Sequence, residues 1–377
     1  MDVRTPAIAT GLLCVMAVPA VAAPFVAGDP VSLSARISDS RAAVIVRPVD
    51  AADPGSGWTV VAVLHDGTGA VSVGQTLQPR PAPATGTDLA LLLSNRNRTV
   101  VSISISDEAA AYVQSLPAAD AAGEKRLQHA LRHLDHGEPL IAGDAFAVLS
   151  SFTAADFDRH RRLLPRDRLV ELIEDDETPG DRIALSGYLL GLCGTAEDAK
   201  RLRRRLLTCE GFATGADGVA AGYLMLTGEE GLADLETHVL MTENTPPLVA
   251  GAVLEAVRFL RSQPNGPFSA ERLRLAACCG LVRHDVADLA VGHLAAAKEW
   301  DALSEVATLL NATDPNADRG RAGQVAAVRF LLECRRDTDA SPDLRTTAAR
   351  LLDEIAVTDA DLIRRATHLS GMPPRRH

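Results

Sequence analysis

The pattern of apolar and polar residues changes character near residue 106. Before that point, β-branched runs at 42–46 and 58–64 and an apolar run at 89–93 indicate strands. At 100–105, valine and isoleucine alternate with serine, the period of two that points one strand face inward and the other outward. The segment from 31 to 106 therefore predicts about five or six short strands, enough for a small barrel or sandwich.

Beyond residue 106 the apolar residues recur with the period of an α-helix. Thr-x-x-Asp sequences at Thr153, Thr195 and Thr358 resemble capping boxes, and Ser269 and Ser341 are further candidate N-caps. Glycines and a Pro-Pro pair separate the periodic segments. The pattern predicts roughly fifteen helices of about 9 to 16 residues. The clearest helical template consists of Val249, Ala252, Val253, Ala256, Val257 and Leu260.

The helical segments repeat along the chain. Five similar tripeptides begin 35, 35, 35 and 36 residues apart, at Tyr188, Tyr223, Arg258, His293 and Arg329. Two short antiparallel helices with their turns occupy a length in the mid-thirties, so this spacing is typical of a stacked α-solenoid. We therefore predict a mostly α protein in which about six to seven helix pairs follow a small β-barrel.

The first residue of each tripeptide is a candidate binding residue. Equivalent positions of a solenoid line up on one surface, and aromatic and arginine side chains are frequent in binding interfaces. We predict that Tyr188, Tyr223, Arg258, His293 and Arg329 bind a protein or peptide partner. The alternative is that the ring-bearing members lie at the edge of the core between repeats, with the ring buried and the polar tip exposed.

Both regions resemble known modules. The back two-thirds is similar to HEAT-like repeats, because its Leu- and Ala-rich helix pairs lack the fixed Trp, Gly, Tyr and Pro positions of tetratricopeptide repeats. The front resembles the OB-like barrel of tissue inhibitors of metalloproteinases, on residues 63–67 (VLHDG) and Val73-Gly74. The whole chain is similar to exported bacterial proteins that pair these modules. Those inhibitors chelate the protease metal with an amino-terminal Cys, and no inhibitory activity is implied for a mature chain that begins Ala23-Pro24-Phe25.

The amino terminus resembles a secretory signal. An apolar run at 8–18 is too short to cross a bilayer as a helix, and Ala20 and Ala22 form an Ala-x-Ala cleavage site. We expect cleavage after Ala22 and an exported product, periplasmic or secreted. An uncleaved anchor or a plain apolar terminus is the alternative. No later apolar run reaches about 18 residues, so no membrane span is expected after cleavage.

These observations divide the chain into five segments. The predicted segments are a signal peptide at 1–22, an OB-like β-barrel at 23–106, a helix and linker at 107–123, a HEAT-like α-solenoid at 124–370 and a basic tail at 371–377.

Composition and charge limit the classes of molecule that the protein is expected to bind. The 377 residues include 49 acidic and 38 basic side chains, for a net charge of −11. A net acidic chain is poorly suited to nucleic acid or to an anionic membrane, since both attract basic surfaces. We expect a protein or peptide partner in the cell envelope and no nucleic acid, with the oligomeric state left open.

The cysteines do not form a recognisable framework. Apart from Cys14 in the apolar leader, Cys193, Cys209, Cys278, Cys279 and Cys334 match no zinc or redox spacing. We expect them to act as small apolar fillers of the helical core. A bridge between Cys193 and Cys209 is the open alternative.

The strongest chemical motif is a histidine cluster. His129, His133 and His136 are spaced i, i+4 and i+7, so an intact helix would place them on one face within reach of one cation. Asp135 or Glu138 could add a carboxylate. Packing of the rings is the competing interpretation, because the Gly-Glu-Pro turn begins immediately after the third histidine.

Other charged motifs are expected to be structural. Residues 314–320 echo a calcium loop but carry Arg319 where the loop requires Gly, which favours a polar turn. The acidic run at 171–181 is interpreted as a solvated corner. The basic cluster at 201–205 is expected to balance nearby carboxylates, and no nucleophile, phosphate-loop or dinucleotide signature is present.

The sequence thus favours a non-catalytic interaction or scaffold protein without a cofactor. Two alternatives remain open at this stage. One is a metal-binding protein or metal-dependent enzyme centred on the histidine cluster, and the other is ligand binding by the β-barrel.

Overall fold

A computed structural model describes residues 25, 30–50, 56–80, 83, 88–95, 99–208, 214–263, 266–311 and 317–369. These residues form a mostly helical molecule with a small antiparallel sheet near the amino terminus, as the sequence predicts. The change from strands to helices predicted near residue 106 falls between the last strand, which ends at Ile105, and a helix that begins at Asp107. The predicted signal peptide and basic tail lie outside the described residues.

The sheet contains five strands in the order β3-β2-β1-β4-β5, all antiparallel. Its strands are β1 Ala42–Pro48, β2 Trp58–Asp66, β3 Thr76–Leu77, β4 Leu89–Ser94 and β5 Val100–Ile105. Four of them match the predicted runs. The alternation of valine and isoleucine with serine in β5 matches the burial of its side chains only in part, because Val101 is 43% exposed on this edge strand. Edge strands have a partner on one side only, so alternation there is a weaker guide to burial.

The two sides of the central strand β1 enter different cores. Ala43 and Ile45 pack with Leu91 and Leu93 of β4 against helices, whereas Val44 and Val46 pack with Trp58 inside the curl of the sheet. A strand buried on both faces is apolar throughout, which explains why 42–46 shows no alternation.

The segment predicted as strand from residue 31 begins instead with a helix, α1 Leu33–Asp39. Ser32 caps it by accepting a hydrogen bond from the Ala35 backbone at 3.3 Å. Leu33 and Ile37, one helical turn apart, pack onto the core beneath the sheet. The prediction was wrong because this short segment is fixed by a cap and by tertiary packing rather than by a long period.

Fifteen helices follow β5 in the described residues, in agreement with the predicted number, although their lengths range from six to 20 residues. The first six are α2 Asp107–Ser115, α3 Gly123–Arg132, α4 Pro139–Leu149, α5 Ala154–Arg159, α6 Arg166–Glu174 and α7 Gly180–Cys193. The next five are α8 Ala196–Leu207, α9 Ala216–Leu235, α10 Pro247–Arg261, α11 Ala270–Cys279 and α12 Ala287–Ala296. The last four are α13 Leu303–Thr308, α14 Ala317–Arg336, α15 Pro342–Thr358 and α16 Ala360–Leu369.

Longer helices pack on one another in chain order. Helix α7 contacts α9, α9 contacts α10, α12 contacts α14, and α14 contacts α16. The helices between them, such as α8, α11 and α15, contact the neighbours on either side. One continuous apolar cluster runs from Leu127 to Ala366 through this assembly. The repeated apolar stripes of the sequence are therefore buried between successive helices.

The predicted caps are largely correct. Thr153 and Thr195 form capping boxes with Asp156 and Asp198, in which each side chain bonds the other residue's backbone N–H. The third prediction was wrong, because Thr358 is the last residue of α15 and its hydroxyl donates to the Glu354 carbonyl at 3.1 Å. Asp359 instead accepts from the Leu362 backbone at 3.0 Å at the start of α16.

A buried carboxylate joins three helices at the amino-terminal end of the helical region. Asp144 of α4 accepts a hydrogen bond from the Leu33 backbone at 2.5 Å and another from the Tyr112 hydroxyl at 2.7 Å. Burial raises the pKa of Asp144, and these two donors oppose that rise. The carboxylate thus connects α1 and α2 to α4.

The charged motifs behave as predicted. Glu174 pairs with Arg201 and lies 3.7 Å from Arg204, while Arg205 pairs with Asp176, so the basic cluster balances the acidic corner.

The described cysteines, Cys193, Cys278, Cys279 and Cys334, are free. Cys209 and residues 314–316 of the calcium-like loop lie outside the described residues. Among the described helices, none combines the length and hydrophobicity needed to cross a bilayer.

Candidate binding surface on the helices

The five predicted binding residues lie on helices that follow one another along the molecule. Tyr188 is on α7, Tyr223 on α9, Arg258 on α10, His293 on α12 and Arg329 on α14. The two tyrosines are buried, with 2% and 6% exposure, so their rings belong to the core. Arg258 is well exposed, Arg329 is partly exposed, and the His293 side chain is mostly buried.

The two tyrosines have different surroundings. The Tyr188 ring meets Phe157 and Phe259 at centroid distances of 6.4 and 5.2 Å, both in edge-to-face arrangements. The Tyr223 hydroxyl donates to Asp234 at 3.0 Å, and Asp234 also accepts two hydrogen bonds from Arg203. Tyr188 therefore contributes an aromatic surface, whereas Tyr223 closes a structural ion-pair network.

Arg258 and His293 come together at one carboxylate. The His293 ring donates from Nε2 to Glu255 Oε1 at 3.0 Å, and Arg258 Nη2 lies 2.6 Å from Glu255 Oε2. Burial alone would raise the pKa of Glu255, but the His293 hydrogen bond and the Arg258 charge outweigh it and lower the pKa to about 2. Glu255 is consequently ionised at neutral pH and orients both neighbours.

A cavity of about 320 Å³ opens beside this ion pair. Val257, Leu273 and Leu294 provide apolar lining, while Arg258 and His293 line its charged side together with Arg261, Arg274 and Glu299. An apolar cavity with a few convergent polar groups is the usual character of a binding site.

Two buried polar atoms at this cavity have no hydrogen bond within the described part of the chain. They are His293 Nδ1 and Arg274 Nη1, the latter 3.6 Å from Glu305 Oε1. Arg274 uses its other nitrogens to hold Glu271 at 2.7 and 3.0 Å. Unsatisfied buried donors and acceptors are rare in proteins and can be satisfied by a ligand.

Arg329 belongs to a separate, more basic groove. It lies with Arg321, Arg364, Arg365, His368 and the single lining carboxylate Asp288 between α12, α14 and α16. Arg364 and Arg365 share Asp361, at 3.1 and 2.7 Å, so two cations depend on one carboxylate. The surface thus becomes more positive toward its carboxyl-terminal end.

Sequence reasoning did not single out Glu255, Phe259 or Arg274. Glu255 could have been found, since it precedes Arg258 by three residues on the same helix, and such i, i+3 pairs face each other. Arg274 likewise follows its partner Glu271 by three residues, whereas Phe259 contacts Phe25 and Tyr188, which are far away in sequence and leave no local sign.

The three candidate metal ligands do not share one helix face. Helix α3 ends at Arg132, so His133 follows the helix and His136 lies in the next turn. His133 Nδ1 hydrogen bonds the His129 carbonyl at 2.9 Å, and His136 Nδ1 accepts from the Glu138 backbone at 3.1 Å. Within the described ranges, no group of three His, Cys, Asp or Glu side chains is arranged to hold a metal ion.

The histidine rings pack against Tyr112 instead. Tyr112 lies 5.2 Å from the His129 ring and 4.9 Å from the His133 ring, measured between centroids. Burial lowers the pKa of His129 to about 4, with smaller contributions from His133 and Arg132. His129 is therefore neutral at neutral pH, and its buried Nε2 has no hydrogen-bond partner among the described residues.

Replacing His129 by leucine is expected to stabilise the protein more at low pH than at high pH. In the unfolded chain His129 binds a proton below about pH 6.5, whereas in the folded protein its pKa is about 4 and it stays neutral. Proton binding therefore favours the unfolded wild type as pH falls from 6.5 toward 4, and wild-type stability decreases. The stability difference between His129→Leu and wild type should grow by about 1 to 2 kcal/mol between about pH 7.5 and pH 5. Urea unfolding at both pH values measures it.

The control for this experiment is Val357→Ala, at a residue that is 88% exposed and carries no ionisable group, so its effect on stability should not change with pH. An effect of His129→Leu that is equal at the two pH values contradicts the buried, neutral state of His129.

The sheet offers a smaller candidate site. A cavity of about 290 Å³ is lined by Val44, Val71, Leu77 and Leu92 with Arg41 and Thr68 among its polar residues. Its lining is mainly apolar, and the nearby interior of the sheet also buries Trp58.

Comparisons with known proteins give no further guide. No family model matches the chain, and no curated protein or solved structure matches it.

Proposed function

We propose that this protein is a non-catalytic, exported interaction or scaffold protein that binds a protein or peptide of the cell envelope along its helices. The observation that carries the proposal is the convergence of Arg258 and His293 on Glu255 beside an apolar cavity. Both residues were selected from the sequence because they occupy equivalent repeat positions.

The packing of the helices supports a HEAT-like α-solenoid over residues 124–370. Contacts in chain order, from α7 through α9 to α10 and from α12 through α14 to α16, are those expected of stacked repeats. Such stacking gives an extended surface on which side chains of successive helices lie in a row. A row of this kind suits a peptide or a protein edge better than a small substrate.

The sheet supports the OB-like assignment of the amino-terminal module. Strands β1 to β4 have the spatial order β4-β1-β2-β3, which is a Greek key, and β5 extends it at the edge of β4. The OB-fold is a five-stranded, partly open Greek-key barrel. In this proposal the module is a second, smaller binding surface or a spacer for the helices.

The partner chemistry follows from the surface charges. Arg258 keeps 57% of its side chain exposed while paired with Glu255, and the groove around Arg329 holds more cations than carboxylates. Exposed ion pairs contribute little to folding, so these arginines can exchange an internal carboxylate for one on a partner. We expect the partner segment to combine acidic and apolar side chains.

Charge reversal at Arg258 tests this proposal. The protein and its Arg258→Glu variant are used to capture partners from the envelope fraction of the native host. We expect wild type to retain a reproducible partner and Arg258→Glu to lose most of it, because a reversed charge repels an acidic segment. Arg350 is the matched control, since its side chain is 60% exposed and it pairs with Glu354 on α15 much as Arg258 pairs with Glu255.

Arg350→Glu should capture the same partner as wild type. Capture that is unchanged by Arg258→Glu, or reduced equally by both variants, contradicts binding at this surface.

A further inference from the structure

The aromatic surface at Tyr188 already has an occupant, which is the chain's own Phe25. The Phe25 ring meets the Phe259 ring edge-on at a centroid distance of 4.6 Å and the Tyr188 ring at 6.0 Å. Residues 23–24 and 26–29, on either side of Phe25, lie outside the described residues. Phe25 is thus an amino-terminal side chain that contacts helices α7 and α10, 163 and 234 positions further along the sequence.

The geometry of these contacts is that of specific aromatic recognition. Tyr188 and Phe259 stand at 85° to each other with centroids 5.2 Å apart, and Phe25 meets them at 53° and 60°. Tilted and edge-to-face arrangements at such distances are the favourable ones for aromatic pairs. We call Tyr188 and Phe259 the aromatic slot.

The backbone of Phe25 gives an independent indication that its ring is held in place. Its φ angle is +65°, in the left-handed region that bulky residues rarely adopt. A residue stays in such a conformation only when its surroundings over-determine it. Among the described residues, the Phe25 ring packs onto the helical core.

We propose that Tyr188 and Phe259 form a recognition slot for an aromatic side chain, filled in the isolated protein by Phe25 and open to an aromatic residue of a partner peptide when Phe25 leaves. The filling by Phe25 stands on the contacts above, whereas the partner peptide rests on the proposed function. Phe259 of the slot lies on α10, the helix that also carries Arg258.

The slot fits an aromatic group for a physical reason. Tyr188 is almost fully buried and fixed by Phe157 behind it, while Phe259 is only half-buried and offers a ring at the surface. A tethered side chain has an effective concentration in the millimolar range, so Phe25 excludes a weakly binding free peptide. Removing the Phe25 ring therefore exposes a site that wild type hides.

The test uses the chain's own sequence as the probe, so it does not depend on a natural partner. A peptide of residues 23–30 (APFVAGDP), with 4-fluorophenylalanine at the position of Phe25, is added at up to about 1 mM to wild type and to Phe25→Ala. We expect the ¹⁹F signal of the peptide to shift and broaden with Phe25→Ala and to remain unchanged with wild type. The same peptide with Ala in place of the fluorinated residue should not compete for binding.

Two further variants define the slot. Phe25→Ala combined with Phe259→Leu, which keeps an apolar side chain and removes the ring, should lose the peptide signal while its thermal unfolding still shows a folded protein. Val31→Ala changes an exposed residue near the same segment and should bind no peptide, because Phe25 is intact.

Three results of the peptide experiment overturn the inference. The peptide fails to bind Phe25→Ala, or it binds wild type equally well, or it still binds after Phe259→Leu. A wild type that elutes as a dimer and a Phe25→Ala variant that elutes as a monomer would show exchange of Phe25 between two copies, which also overturns filling within one chain. Failure of the envelope capture with success of this test would leave the slot established and remove the proposed partner.

Discussion

Replacing Gly222 by alanine is expected to lower the free energy of unfolding by about 3 kcal/mol, since the new methyl group has no room. A Cβ at Gly222 of α9 would lie 2.0 Å from the carbonyl oxygen of Gly187 on α7. That neighbour is backbone and cannot move alone, so the two helices must separate. Gly191 and Gly218 line the same contact, which shows how closely α7 and α9 approach.

Gly292 of α12 provides the matched control. It is exposed within a helix, and a Cβ there would meet nothing within 4 Å. Alanine at this position should stabilise the protein by about 0.5 to 1 kcal/mol, through the higher helix propensity of alanine. Equilibrium urea unfolding compares the two variants. A Gly222→Ala protein as stable as wild type would show that α7 and α9 do not pack as described.

Replacing Arg283 by alanine should cost about 3 to 5 kcal/mol, the range for removing one partner of a buried ionic network. Arg283 is 1% exposed and donates to the carbonyls of Val239, Thr242 and Thr245 at 2.6 to 2.9 Å. It also holds Asp285 through two hydrogen bonds. Alanine would leave three carbonyls without their donor and one carboxylate without its cation.

Arg283→Lys and Arg350→Ala separate the causes of this effect. Lysine keeps the charge but lacks the planar fork that reaches several acceptors, so it should restore only part of the lost stability. Arg350 is exposed, and its replacement by alanine should change stability by less than about 1 kcal/mol. Thermal and urea unfolding measure all three variants. Full stability in Arg283→Ala would refute a structural role for the buried guanidinium.

Local features of this fold could be predicted from the sequence because their causes are local. The capping boxes at Thr153 and Thr195 involve residues three apart, and the apolar stripe of α10 follows directly from the helical period. The strands β1 and β2 come from β-branched runs, whose stiff side chains pack well on the pleated surface of a sheet. The balance between the basic cluster and the acidic corner was predictable from their opposite charges, although its ion pairs, Glu174–Arg201 and Asp176–Arg205, join residues 27 and 29 positions apart.

Features fixed by distant contacts could not be predicted. Nothing in the sequence around Leu33 indicates that its backbone N–H is held by Asp144, 111 residues later. In the sequence Arg283 cannot be told from a surface arginine, because the carbonyls of residues 239–245 surround it only in the folded protein. Phe25 belongs to no pattern of apolar residues in the sequence, and its contact with Phe259 exists only in the folded molecule.

In the candidate binding surface, too, some features could be predicted from the sequence and others could not. The repeat spacing selected Arg258 and His293, which meet at Glu255, and it also selected Tyr188 and Tyr223, which the fold buries. Spacing identifies equivalent positions but does not say how deep each lies. The depth depends on the angle between neighbouring helices, which the period alone does not determine.

The central claim is that the helices bind a partner on the face that carries Arg258. A photoreactive amino acid, benzoylphenylalanine, placed at position 258 or at the comparably exposed position 350, tests it directly in living cells of the native host. The account predicts a reproducible covalent adduct from position 258 and none from position 350. The same adducts from both positions, or no adduct from position 258, would contradict it.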